Sequence, residues 1–339
     1  MNACLVFVHI GTNPSPTLLN YATLIHTSFH EVNLFLLTDD PERWKEFPGV
    51  IIDASDAIGS MYPLLWRIKY YEKFSIANGY WVNTLTRLFL FPLLRGNIPP
   101  DSLVIHVESD VLCFPANAFL SAIKDGISRP SVMRLDANQG IAAIVVAPNL
   151  ESLIGAFETL KTLLLQSRSW ISDMRLLGLG LNHSILGELQ PIVVHGGSVP
   201  NYLIFDGVEI GRYLFGLDAI HQGGVSYGGI LMEGGILMEG SVRKQVSWSI
   251  TEKPNGVDAG LQFIHGDKRF LIFNLHIHAK TLLPSMPNQD SFWLEILRAA
   301  NHEIAFPIRR GSLSKEIHEY NGNHLARLFR FVKNLIARL

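Results

Sequence analysis

Cysteine is nearly absent: Cys4 and Cys113 are the only two in 339 residues, and both lie in apolar, strand-like stretches. They read as buried core thiols in a reducing cytoplasm, which excludes a disulfide-stapled scaffold. Charge is sparse as well. Asp, Glu, Lys and Arg make up 17% of the chain and balance to a net charge of -2, so no global field favours nucleic acid. Apolar residues reach 48%, yet no uninterrupted run approaches the 18 or so needed to span a bilayer. No early basic-plus-apolar segment with a small-residue cleavage site is expected to act as a leader. The first apolar stretch is followed by the single Gly11, which is not the G-x-G-x-x-G dinucleotide fingerprint, and no G-K-[ST] phosphate loop occurs.

What is present reads as βαβ grammar. Leu5 to Ile10 is a strand, followed by the loop Gly11-Thr12-Asn13-Pro14, a helix from about Ser15 to Phe29, and strands over Asn33 to Thr38 and Val50 to Asp53. Open α/β sheets bind ligands at the carboxyl ends of their strands, so Thr12, Asn13, Asp39 and Asp40 face the expected site. Tyr62 to Leu94 reads as helical material interrupted near Asn78-Gly79. A strand over Ser102 to Val107 then runs into Glu108-Ser109-Asp110, and a helix from Ala116 to Lys124 leads to a strand pair between Val132 and Ala147. Helical spacing covers Leu150 to about Leu181, with Gly- and Pro-rich turns beyond it. A helix over Gly207 to Phe215 and strands near Val246 to Ile250, Gln262 to His265 and Phe270 to His278 complete a less regular lobe. Gly-Ile-Leu-Met-Glu-Gly occurs twice in tandem, from Gly229 and from Gly235, too short and too few for a solenoid.

Two constellations carry chemistry. Glu108 and Asp110 are two apart at a strand end, so in an extended backbone they share a side, which suits a hard divalent cation that keeps positions open for phosphate. Strand-end acids also cap helices and shape loops. In Leu275-His276-Ile277-His278-Ala279-Lys280, period-two geometry puts His276, His278 and Lys280 on one face and the apolar residues on the other. Imidazole can ligate metal and ammonium can pair with phosphate, whereas the bland alternative is a half-exposed edge strand.

These features together resemble the type A glycosyltransferase fold, and the local phrases extend the likeness over roughly residues 3 to 285. They are Trp81-Val82-Asn83-Thr84-Leu85-Thr86-Arg87, His106-Val107-Glu108-Ser109-Asp110-Val111, Phe205-Asp206-Gly207-Val208-Glu209-Ile210-Gly211-Arg212-Tyr213-Leu214 and the His-x-His-x-Lys row. They are similar to bacterial surface-polysaccharide transferases, with Glu108 standing where the first Asp of an Asp-x-Asp motif is usual. The resemblance implies an α/β fold with a Rossmann-like, mostly parallel sheet, a less regular acceptor lobe and a C-terminal amphipathic helix. Residues 1–115 would bind the nucleotide sugar, 116–290 the acceptor, and 291–339 would form a helical tail. It further implies a metal-dependent transfer of sugar from a UDP-linked donor to a glycan or lipid-linked acceptor, with Mn2+ or Mg2+ held by Asp110 and by His278 or His276. Arg87 and Lys280 would contact phosphate, although Arg87, in an apolar helix, equally suits an ion pair with Glu108 or Asp110. Asp173 resembles a helix-start general base. Asp206 and Glu209 are also candidates, but their D-x-x-E spacing matches a capping box, and neither inversion nor retention follows.

The stretch Leu325 to Leu339 aligns Leu325, Leu328, Phe329, Val332, Leu335, Ile336 and Leu339 on one helical face against Arg327, Arg330, Lys333 and Arg338, without an acid. Such a basic amphipathic helix fits an anionic surface on the inner face of the cell membrane, or else caps its own core. The competing functions are a His/Asp metallohydrolase built on His276 and His278, and a non-catalytic sugar-nucleotide-binding protein docked at the membrane.

Overall fold

The computed structural model describes residues 2–11, 16–65, 80–115, 117–167, 171–190, 192–195, 201–205, 247–251, 260–265 and 268–276. The chain opens with strand β1 (Ala3–His9), helix α1 (Pro16–Ser28), β2 (Val32–Thr38), β3 (Val50–Asp53) and α2 (Ser55–Leu64). Helix α3 (Tyr80–Arg87) leads to β4 (Leu103–Val107), the short β5 (Val111–Cys113), α4 (Asn117–Gly126), β6 (Ser131–Asp136) and β7 (Gln139–Ala147). Helices α5 (Leu150–Gln166) and α6 (Asp173–Asn182) precede β8 (Gly187–Glu188), β9 (Ile192–His195), β10 (Asn201–Phe205), β11 (Ser247–Thr251), β12 (Gly260–His265) and β13 (Lys268–His276).

Seven strands form one sheet in the order β3-β2-β1-β4-β7-β6-β8, in which β1, β2, β3 and β4 pair in parallel and β7 runs antiparallel to both β4 and β6. The second sheet runs β11-β12-β13-β10-β9, with β5 paired to β13 off that path. The fold is therefore α/β with a mostly parallel main sheet, as the βαβ reading expects. None of the described helices is long and apolar enough to cross a membrane.

Strand β1 shows why both faces of the main sheet are covered. Ala3, Leu5 and Phe7 point into one core with α1, α4 and the second sheet, while Cys4, Val6 and Val8 point into another with α2, α3, α5 and α6. A strand apolar from Ala3 through Val8 suits a sheet buried on both sides. Phe119 of α4 meets Phe205 and Phe273 at ring separations of 6.2 and 5.1 Å, clamping the second sheet to the first core.

Three readings of the sequence change. The helical stretch from Leu150 is two helices: Ser167 ends α5 by donating its amide to the carbonyls of Leu163 and Leu164, and Ser172 opens α6 with its hydroxyl accepting the Arg175 amide. The region beyond residue 181, read as turns, carries the short strands β8, β9 and β10. Strand β5 follows β4 after the turn at 108–110, a three-residue element too short to show a period. The expected helix over Gly207 to Phe215, the tandem repeat at 229–240 and the tail at 325–339 lie outside the described residues.

Candidate metal and nucleotide-sugar site

The site begins where β4 ends. Alternation along β4 sends Leu103, Ile105 and Val107 into the first core and Val104 into the second. His106 continues the second series and is fully buried against Phe91, with ring centroids 5.3 Å apart. Its Nδ1–H donates to the Val6 carbonyl at 3.0 Å, which makes it a structural histidine of the sheet. Burial, aided by the nearby Arg87 charge, depresses its pKa from 6.5 to about 3.

Beyond Val107 the backbone turns. The Glu108 amide is held by the Ala143 carbonyl at 3.2 Å, and the Val111 amide closes a four-residue turn on the Glu108 carbonyl at 3.0 Å. Glu108 and Asp110 stand on this turn, and β5 follows. Antiparallel pairing of β5 with β13 sets Val111 opposite His276 and Leu112 opposite Leu275, so the imidazole arrives beside the two acids. One irregularity in β13 makes this possible. Phe270 and Ile272 lie in the core at even positions, but β10 pairs Ile204 with Ile272 and Phe205 with Asn274, so Phe273 is a bulge that inverts the alternation. Leu275 therefore enters the core and His276 turns toward the acids.

Glu108, Asp110 and His276 each offer a ligand atom, all within 4.8 Å of one another. His276 Nε2 lies 3.7 Å from Glu108 Oε2 and 3.8 Å from Asp110 Oδ2. The other Glu108 oxygen, Oε1, pairs with Arg87 Nη2, and the same nitrogen reaches Asp173 Oδ2 at 2.9 Å. Arg87 is the last residue of α3 and Asp173 the first of α6, so two helix ends converge on the strand-end turn. Burial pushes the Glu108 carboxyl above its usual range; Arg87 opposes that shift, Asp110 reinforces it, His276 opposes it and Asp173 reinforces it. Tyr21 of α1, which no sequence signal marked, is buried within the electrostatic reach of Asp110. Its phenol is held well above the ordinary value by burial and by that carboxylate.

Two carboxylates and one imidazole are a donor set that suits manganese or magnesium: three ligands leave coordination positions for a diphosphate. The arrangement thus brings together Glu108, Asp110, His276, Arg87 and Asp173. Asp39 stands apart from them at the end of β2, where both of its carboxylate oxygens accept the Gly11 amide at 2.9 and 3.1 Å, and it ties the β1 and β2 edges together. Gly11 adopts φ +124°, a backbone state that favours glycine. Asp40 pairs with Arg43 at 2.7 Å on the following turn. Thr12, Asn13, Asp206, Glu209, His278 and Lys280 lie outside the described residues.

No family profile matches the chain, and no curated protein sequence is similar to it. Among solved structures, it is similar to mouse xyloside xylosyltransferase 1 in its apo form, with 12% identity, 56% of this chain and 85% of that one covered, and a TM-score of 0.40. It is similar to the glycosyltransferase GlyE of Streptococcus pneumoniae with 14% identity, 56% and 45% covered and a TM-score of 0.36, so it spans less than half of that chain. The galactosyltransferase LgtC, solved with donor and acceptor sugar analogs, shares 14% identity, with 52% and 69% covered and a TM-score of 0.35. All three are glycosyltransferases, the class that the sequence resemblance implies. At such identities and scores, neither an activity nor a substrate carries over from them.

Proposed function

We propose that the protein is a metal-dependent glycosyltransferase that moves a sugar from a nucleoside diphosphate donor, UDP-linked by preference, to a glycan or lipid-linked acceptor in surface polysaccharide synthesis. The observation that carries this reading is the convergence of Glu108, Asp110 and His276 on the carboxyl-terminal edge of a mostly parallel sheet, where α/β folds bind ligands. Arg87 pairs with Glu108 and Asp173, and Asp110 adds a third carboxylate beside His276, a formal charge of -2 over these three acids and one guanidinium. Burying that charge is costly without a counter-ion, and a divalent cation matches it.

Glu108 through Oε2, Asp110 and His276 would hold the ion. Bound there, Mn2+ or Mg2+ neutralises charge on the departing diphosphate. Arg87, fixed by Glu108 and Asp173, would add a positive charge near that group that needs no reorganisation when the leaving group develops its own. Asp39 fixes the loop edge at Gly11, shaping the floor against which Thr12 and Asn13 would meet the nucleotide. The division at residues 115 and 290 into a donor half, an acceptor half and a tail belongs to this reading, as does Lys280 as a phosphate partner. Asp206 and Glu209 are retained as candidates for the base or nucleophile of the acceptor half.

Calorimetric titration with UDP, with and without manganese, tests the assignment, followed by a nucleotide-sugar panel screened for hydrolysis. Metal-dependent binding with slow hydrolysis of one donor is expected. Indifference to UDP would indicate a His/Asp metallohydrolase, and binding without turnover on any donor and acceptor would indicate a relict site.

The basic amphipathic stretch Leu325 to Leu339 places the protein, in this reading, on the cytoplasmic face of an anionic membrane near a lipid-linked acceptor. Deleting it should abolish co-sedimentation with anionic vesicles while leaving zwitterionic controls unchanged, and high salt should weaken binding of the intact chain. Equal binding by both forms would return the tail to its own domain.

A further inference from the structure

We propose that Asp173 is a positioning residue for the metal site, acting through Arg87 on Glu108, and not the general base that its place at a helix start suggests. The inference rests on the metal reading above. Its first ground is how the Asp173 carboxylate is used. Oδ1 accepts the Met174 amide at 2.8 Å, at the first turn of α6, and Oδ2 accepts from Arg87 at 2.9 Å. The residue is only 4% exposed. Both oxygens are thus engaged in structure, one by a helix end whose dipole favours negative charge and one by a guanidinium.

The second ground is what Arg87 would do without it. Without the pull of Asp173, the guanidinium would be drawn toward the two-pronged contact that arginine and carboxylate prefer, which would take both Glu108 oxygens away from Asp110 and His276. With Asp173 holding the same Nη2, Arg87 meets Glu108 at Oε1, and Oε2 lies 3.7 Å from His276 Nε2. Asp173 also supplies the third negative charge; without it the buried group carries -1, too little to balance a dication. The geometry of this contact is set by tight packing behind it. A Cβ on Gly178 of α6 would lie 2.0 Å from the Asn138 carbonyl oxygen, and Asn182 at the helix end donates to the Ala137 carbonyl at 2.9 Å, so α6 is docked on the β6–β7 turn with no room to slide.

Manganese binding to the full chain, read by the loss of the free-ion paramagnetic resonance signal, tests this without recourse to turnover. Asp173→Asn should weaken Mn2+ binding by about tenfold or more, as removal of partners behind metal ligands does. The double variant Arg87→Met/Asp173→Asn deletes the ion pair as a unit, which buried sites tolerate better than loss of one member. It restores the formal charge of -2 on Glu108 and Asp110 and should return Mn2+ affinity to within about threefold of the parent, recovering most of that tenfold loss. Recovery in the double variant, when Asp173→Asn is itself folded and melts near the parent, is the outcome that a purely structural role cannot give. Parent-like Mn2+ affinity in Asp173→Asn, or weaker binding in the double variant than in the single, overturns the inference. Parent-like affinity together with lost donor hydrolysis would reinstate Asp173 as a base. Failure of the parent itself to bind Mn2+ would overturn the metal reading and this inference with it. If Asp173→Asn does not fold, as judged by circular dichroism, the double variant alone decides: parent-like binding supports the inference and weak binding overturns it.

Discussion

In the main sheet β1, β2 and β3 join strands that are also neighbours in sequence, whereas the second sheet reaches the site through β5 and β13, with Cys113 opposite Asn274. The first arrangement can form from local βαβ units. The second closes a loop of more than one hundred residues before its pairing is rewarded. Chemistry follows the same division: the main sheet delivers Glu108 and Asp110 on a local turn, and the second sheet delivers His276. The Glu108, Asp110 and His276 group therefore forms only when both sheets are in register, and the long-range pairing is the step that completes it.

The sharpest way to break this picture is to remove the acid that the local turn supplies. Asp110→Ala should lower turnover by about a thousandfold or more and abolish metal-dependent UDP binding, because a charged ligand to a divalent cation is lost. Its side chain sits at the edge of the turn and fills no core, so the melting temperature should stay near that of the parent. Parent-like turnover in a folded Asp110→Ala protein would remove the carboxyl edge of β4 from the site.

Next in size is the contrast between the two faces of β13. Leu275 is fully buried in the core shared by α1, α4 and the second sheet, so Leu275→Ala should cost about 2–5 kcal/mol of stability, measured by urea unfolding. His276→Ala opens no comparable apolar cavity; it should cost much less stability while weakening Mn2+ binding by about ten- to a hundredfold. If instead Leu275→Ala impaired metal binding at full stability and His276→Ala were silent, the register of β13 past the Phe273 bulge would be wrong by one residue.

The same contrast explains what could be read from the sequence. The strands around Leu5, Leu34 and Ile105 and the acids after Val107 were legible because each is a short apolar run ending in a turn signal. The alternation Leu275-in, His276-out was legible too. That β5 exists, and that it meets β13, was not: three apolar residues carry no period, and antiparallel partners distant in sequence leave no mark on either strand. Nor does spacing reveal that Arg87 and Asp173, 86 positions apart, would share one contact, since two helix ends brought together by packing decide it. The break between α5 and α6 was hidden because Leu176 and Leu177 continue the apolar character of α5, and only the serine caps betray it.

Two buried histidines, one on each sheet, sharpen the comparison at its smallest scale. His276 faces carboxylates, whereas His106 lies in the core of the main sheet with Nδ1–H spent on the Val6 carbonyl. With its pKa depressed to about 3, His106 stays neutral in the folded protein while the unfolded chain protonates its histidine near 6.5. The stability contributed by keeping it neutral is therefore fully present above about pH 6.5 and is lost progressively as pH falls toward 3, on the order of 1.4 kcal/mol for each pH unit between those limits. His106→Asn keeps a side-chain N–H for the carbonyl and removes the titration. The variant should be somewhat less stable than the parent at pH 7.5, since a smaller side chain leaves Phe91 less well packed, and the difference should shrink or reverse by pH 4.5. Urea unfolding of both proteins across that range measures it, each without added metal so that the acids at 108 and 110 contribute equally. A constant difference at all pH values would mean that His106 gains or loses its proton equally in both states, and the division between a neutral structural histidine on the main sheet and a carboxylate-facing histidine on the second would fail.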